Sequence, residues 1–204
     1  MVVLLRHAGR VYDDSRPASE PFLPLTEQGK RDSLAFGAAF PPGPVYSLLS
    51  SPWGRCVETA YLIARGCIAR GFDAAVPVIA DWLAPFYFRD LEEICSRCAT
   101  QGPQQVFRQW LYGELPADLI QPPRAALHFL LGMISPLLGE NRTPHVRVCV
   151  THDSHLYLMR DLLLGQPFDT SGPITFLEGI LIFRDRFGIQ IANQRGQSPL
   201  RLPG

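Results

Sequence analysis

Lysine is almost absent from this 204-residue chain: of its nineteen basic residues, only Lys30 is not an arginine. A GC-rich genome produces that bias unaided, so it carries no functional weight. Acids and bases balance to a formal charge of zero, which excludes the broad cationic footprint of a nucleic-acid or anionic-membrane partner. No apolar run approaches the length of a transmembrane helix. The start lacks a basic segment and its apolar stretch ends after Leu5, a poor signal peptide, so a cytoplasmic location is expected. Cysteines are few and odd in number, at positions 56, 67, 95, 98 and 149, which is not the pattern of a secreted disulfide framework. Cys95-Ser96-Arg97-Cys98 has the spacing of half a zinc site, but no second pair stands at matching distance. These read as incidental thiols, and the sequence calls for no metal and no cofactor.

What the chain does have is enough apolar content, 47%, to bury a substantial core in one domain spanning residues 1–204. Val2 to Arg6 reads as a first strand, and Thr26 caps a helix over about 27–39. Pro41-Pro42-Gly43-Pro44 stops that helix. A strand at Val45–Leu49, a helix at Trp53–Arg70 and a strand at Val76–Ala80 follow. This alternation predicts an α/β fold with a mostly parallel sheet flanked by helices on both faces. From 81 to 123 the pattern changes to aromatic and helical, which predicts a small helical cap insertion over the carboxyl edge of the sheet. Beyond it come a helix from Arg124 to Leu138, a strand at Val146–Thr151 and a helix from Ser154 to Leu164. A hairpin made of 174–183 and 187–192, turning at Asp185-Arg186, closes the fold. The tail past Gln194 reads as loosely held.

Three of the predicted strands end in polar, chemically able residues. The first discharges Arg6, His7 and Arg10; the second runs into Ser50-Ser51-Pro52-Trp53-Gly54-Arg55-Cys56; the late one ends at His152-Asp153. In a parallel sheet such ends share one edge, where ligands of α/β proteins gather. A histidine among guanidinium groups suits displacement at phosphorus. His7 would be the nucleophile. Arg6, Arg10, Arg55 and His152 would neutralise the phosphoryl oxygens, arginine bonding them through a planar two-donor fork. Asp153 would protonate the departing oxygen and then activate water.

The motifs resemble those of the histidine phosphatase superfamily, the phosphoglycerate mutase-like and acid phosphatase-like fold. Arg6-His7-Ala8-Gly9-Arg10 resembles R-H-G-x-R with alanine for the first glycine. Leu25-Thr26-Glu27-Gln28-Gly29 resembles L-T-x-x-G, and residues 50–60 resemble S-S-P-x-x-R-C-x-x-T-A. His152-Asp153 resembles the H-D pair of the acid phosphatase branch, whereas the short length and the 50–60 segment resemble the mutase branch. Mutase-type members carry a glutamate after the third strand, in a stretch like L-x-E; here Leu83-Ala84-Pro85 has proline at that place. The acid role therefore passes to Asp153, with Glu92 and Glu93 as alternatives if the cap folds inward.

The sequence thus predicts a phosphomonoesterase acting on a small-molecule phosphate ester through a phosphohistidine on His7. Its rivals are a phosphoglycerate mutase-like phosphomutase and a non-catalytic member that binds phosphorylated ligands. Arg16, Trp53 and His155 are further candidate substrate contacts.

Overall fold

A computed structural model describes residues 1–12, 22–139 and 144–202. Arg16, named above as a candidate contact, lies outside the described residues. The core is a sheet of β1 (Val2–Arg6), β2 (Val45–Ser50), β3 (Val78–Ile79), β4 (His145–Thr151), β5 (Gly179–Asp185), β6 (Gly188–Asn193) and β7 (Gly196–Pro199). Their spatial order is β3-β2-β4-β1-β5-β6-β7. The first four run parallel, and the last three add an antiparallel meander to the β1 edge.

Alternation along the central strands explains the two covered faces, since successive side chains point to opposite sides. Val2, Leu4 and Cys149 face one apolar cluster. Leu5, Val146, Val148 and Val150 face the other. Helices α1 (Glu27–Ala38) and α2 (Gly54–Ala69) lie against each other, and α2 packs on the second face, where Cys56, Ala60 and Ile63 are fully buried. The first face is covered by α5 (Pro123–Ile134) and α6 (Asp153–Leu164).

Between β3 and α5 stand a single 3-10 turn (Asp81–Leu83) and helices α3 (Leu91–Gln101) and α4 (Pro103–Leu111). Their core is aromatic: Tyr87 stacks on Trp110 at 4.4 Å and Trp110 Nε1 donates to the Gln121 carbonyl. Thr151 Oγ1, at the end of β4, donates to the Leu83 carbonyl at 2.7 Å, which fixes where this segment leaves the sheet. Cys95 and Cys98 lie half-buried on α3. A short helix, α7 (Phe168–Ser171), follows α6. None of the helices among the described residues is long and apolar enough to cross a membrane.

Three local expectations need correction. The third strand is only two residues long, because Pro77 offers no N–H to a ladder and Val76 is left exposed. The hairpin begins at Gly179 rather than Ile174, and residues 172–178 form a loop in which Leu177 adopts a positive φ of 58°. The tail is not loose: Asn193 Oδ1 accepts from the backbone of Arg195 and Gly196, turning the chain so that β7 pairs with β6 and Leu200 is buried.

Candidate active site

The register of three neighbouring parallel strands assembles the site. Arg6 on β1 pairs with Thr151 on β4, and Ser50 on β2 pairs with Val150. The pattern runs one residue further, with His7 N–H bonded to the Thr151 carbonyl and Ser51 N–H to the Val150 carbonyl, both at 3.0 Å. Ser51, His152 and His7 therefore stand side by side past the carboxyl edge. The two imidazole centroids are 5.8 Å apart, and both rings are about 3% exposed.

Arg55, in the first turn of α2, lies between them. Its Nε donates to His7 Nε2 at 3.1 Å, and its Nη2 lies 3.3 Å from His152 Nδ1. His7 Nδ1 stands 2.8 Å from the Ala8 carbonyl, an acceptor only, so that nitrogen carries the proton. The Nε2 lone pair is thereby left facing the guanidinium. His152 Nε2 is 2.9 Å from Ser51 Oγ.

Burial, then the Arg55 charge, hold the His7 imidazole well below its ordinary pKa, with Arg6 and Arg10 acting in the same sense. His152 is lowered by burial first, then by Arg55 and by the neighbouring imidazoles. Both rings are neutral near pH 7. Burial also pushes the Cys56 thiol beside His152 up to about 12, which leaves it inert at neutral pH.

Arg6 is anchored through Nη1 to the Ile174 carbonyl and through Nη2 to Asp153 Oδ2, the latter at 3.0 Å. Its Nε is buried and has no hydrogen-bond partner among the described residues. A buried donor of that kind costs free energy until something accepts from it. Asp153 sits at the start of α6, where Oδ1 also accepts from Ser154 N–H at 2.9 Å. Arg10 is half-buried, its guanidinium 4.1 Å from the Tyr12 ring centroid, and it reaches the two histidines through its charge. Trp53 stacks on the Arg55 guanidinium at 4.5 Å and lies 4.7 Å from His152.

His155 is a correction. Named above as a substrate contact, it is fully buried one layer behind His152, against Phe86 and Tyr87. Residues 152 and 155 are one helical turn apart, and that turn carries the second ring into the core rather than into the opening. Burial lowers its pKa to about 4.

Several structural roles were not assigned from sequence. Thr59 Oγ1 accepts from Ala8 N–H at 3.1 Å and donates to the Arg55 carbonyl at 2.7 Å, tying the loop after β1 to α2. Thr26 caps α1 as expected, accepting from Gly29 N–H, and beyond that its own N–H donates to the Gly9 carbonyl. A Cβ on Gly29 would lie 2.1 Å from that carbonyl, so the L-T-x-x-G segment is the seat on which the 7–10 loop rests. Ser51 and Thr59 were visible inside a quoted motif without a task. Phe176, whose ring lies 5.8 Å from His7 and 4.4 Å from the Arg6 guanidinium, had no signal, because it enters from a loop remote in sequence. Among the described residues, no cluster of three or more His, Cys, Asp or Glu is placed to hold a metal ion.

A family model described as the histidine phosphatase superfamily (branch 1) matches residues 2–118. A search of curated proteins found no match. Among solved structures, the chain is similar to Bacillus stearothermophilus YhfR at 17% identity and a TM-score of 0.61, with 95% of each chain covered. Phosphoglycerate mutase from Bacillus anthracis str. Sterne is 12% identical with a TM-score of 0.58, covering 97% of this chain and 89% of that one. A mutant phosphoserine phosphatase from Entamoeba histolytica is 14% identical with a TM-score of 0.55, 94% of each chain being covered. At such identities the likeness is one of fold.

Proposed function

The chain belongs to the histidine phosphatase superfamily, and from that premise we propose that it is a phosphomonoesterase acting on small phosphate esters through a phosphohistidine on His7. The observation that carries this reading is the state of His7: its Nδ1 proton is committed to the Ala8 carbonyl while Nε2 faces the Arg55 guanidinium with its lone pair. A neutral imidazole held in one tautomer beside fixed positive charge is a nucleophile prepared for an anionic electrophile.

In the proposed reaction, phosphate enters where Arg55 now bonds the two imidazoles. The guanidinium donors transfer to phosphoryl oxygens, and Arg6 Nε gains the acceptor it lacks. His7 Nε2 bonds to phosphorus as the ester P–O bond breaks in line. His152 supplies a further donor in the tautomer that carries its proton on Nδ1, in which the Ser51 hydroxyl donates a hydrogen bond to Nε2. Asp153, entering the step as the carboxylic acid, gives its proton to the departing alkoxide, then takes one from the water that attacks the phosphohistidine. Inorganic phosphate leaves and His7 is regenerated. Arg10, on the open side, adds charge to the same cradle.

The proposed segment over this edge, residues 81–123, offers few cations for a second phosphate. Of its three arginines, Arg97 is paired with Glu93 and Arg108 with Glu114 and Asp169, which leaves the exposed Arg89. That favours singly phosphorylated esters.

The test is a phosphoester panel assayed with wild type and His7→Ala, together with trapping of an acid-labile phosphoenzyme. Phosphate release and trapped phosphoenzyme are expected from wild type only. Full activity in His7→Ala would end the nucleophile assignment. Phosphate transfer to an alcohol acceptor, with none to water, would favour a mutase.

A further inference from the structure

The three arginines of the cradle each hold the guanidinium carbon over an aromatic ring. Phe176 lies 4.4 Å from Arg6, Tyr12 4.1 Å from Arg10 and Trp53 4.5 Å from Arg55. A ring in that place takes up none of the N–H donors that a phosphate needs. It also sets the chemistry of the rim. Phe176, His7, His152 and Trp53 form a row of rings with successive centroid separations of 5.8, 5.8 and 4.7 Å. An ester bound at His7 is therefore flanked by an aromatic ring beyond each imidazole. Phe176 is 39% exposed and Tyr12 58% exposed, so apolar surface faces solvent where the non-phosphate part of a substrate must lie.

Among the described residues, three polar side chains of this region already carry hydrogen bonds. Glu178 Oε2 accepts from both the backbone N–H and the hydroxyl of Thr175. Glu58 accepts from Leu25 N–H and lies near Lys30. The Thr26 hydroxyl is shared between Gly29 N–H and the Gly9 carbonyl. A sugar or glycerol moiety would find few unclaimed partners among the described residues, and hydroxyls left without one would lose water without replacement.

From this arrangement we propose that the substrates are phosphate monoesters whose alcohol carries an aromatic ring within one or two bonds of the ester oxygen, the ring packing against Phe176 or Trp53. The proposal rests on the phosphomonoesterase reading for its chemistry but concerns what lies beyond the phosphate. A nucleoside monophosphate carries its ring several bonds further from the ester oxygen than the proposal sets.

Benzyl phosphate and glycerol 3-phosphate test this, because both leave as primary alkoxides and both need protonation. The expected kcat/KM for benzyl phosphate exceeds that for glycerol 3-phosphate by at least about tenfold, with adenosine monophosphate close to the latter. In Phe176→Ala and Trp53→Ala that ratio should shrink several-fold, mainly through KM for the benzyl ester. Binding of benzylphosphonate against n-propylphosphonate to wild type, followed by calorimetry, gives the same comparison without turnover. Equal kcat/KM for the ester pair, or equal phosphonate affinities, overturns the aromatic slot while leaving a phosphatase in place. Preferential benzylphosphonate binding with no hydrolysis of any ester supports the slot and overturns the phosphatase reading instead.

Discussion

Asp153 Oδ2 lies 3.0 Å from Arg6 Nη2, so the proposed acid is held by the same guanidinium whose Nε waits for a phosphoryl oxygen. The pairing follows from register: Arg6 ends β1 opposite Thr151, and Asp153 is two residues past that partner. Acid and anion cradle are thus positioned by one side chain. Asp153→Asn keeps the size of the side chain and removes its proton transfer. Hydrolysis of an alkyl phosphate should fall by about 10²–10⁴-fold, the usual worth of a general acid. Hydrolysis of p-nitrophenyl phosphate, whose leaving group departs unprotonated, should fall far less in the chemical step of phosphoenzyme formation. Burst kinetics on the two esters measure this, and equal losses would remove Asp153 from the acid role.

The lowered pKa of His7 gives a second prediction with a definite sign. Burial and the Arg55 charge disfavour the imidazolium, so the neutral nucleophile persists to lower pH than an ordinary histidine allows. The acid limb of kcat/KM due to His7 should therefore lie below the normal histidine range. Arg55→Met removes the second of those causes and leaves the first. In that variant the His7 ring resonances, followed by NMR, should titrate at higher pH than in wild type. A downward move, or none, would mean that Arg55 does not set the charge state of His7.

Ala8 stands where the family signature has glycine, and the backbone explains why it is accommodated. Leu177 is the one non-glycine among the described residues with positive φ, so residue 8 needs no glycine conformation. Its methyl group is fully buried. Ala8→Gly should cost about 1 kcal/mol through added chain freedom and lost burial, without raising kcat/KM. Urea unfolding and steady-state assays check both parts. A gain in activity would show that the alanine impairs the site.

How much of this could be read from the sequence depends on how local each feature is. The parallel core was legible because apolar runs end abruptly in Arg6-His7, Ser50-Ser51 and His152-Asp153, and parallel pairing places such ends together. The antiparallel edge was only partly legible. Asp185 marked its turn, and its side chain indeed accepts from Phe187 N–H. The last strand, Gly196–Pro199, has no apolar alternation to announce it; Asn193 creates it by turning the chain. The loop carrying Phe176 to the site was illegible for a similar reason. Its position depends on Arg6 and Arg160 bonding the carbonyls of Ile174 and Gly172, contacts between segments far apart in the chain.

By sequence His155 is a candidate contact or a simple surface or core histidine; the structure makes it a core residue, and its burial leads to a prediction on stability. In the folded chain its pKa is about 4, against about 6.5 when unfolded. Because the folded value is depressed, the unfolded state binds the proton first as pH falls. Stability contributed at this position is therefore complete above the unfolded value and is lost as pH drops from about 6.5 toward 4. Between pH 7 and pH 5 that loss is about 2 kcal/mol. His155→Gln removes the titration while keeping a polar side chain within reach of Tyr87. Relative to wild type, the variant should gain about 2 kcal/mol between pH 7 and pH 5, whatever its cost at pH 7. His7 and His152 are depressed in the same direction, so both proteins weaken in acid and only the difference between them isolates His155. Urea unfolding at the two pH values supplies that difference. A constant gap would mean that the imidazole takes up its proton without leaving the core, by reaching water or an acceptor when charged.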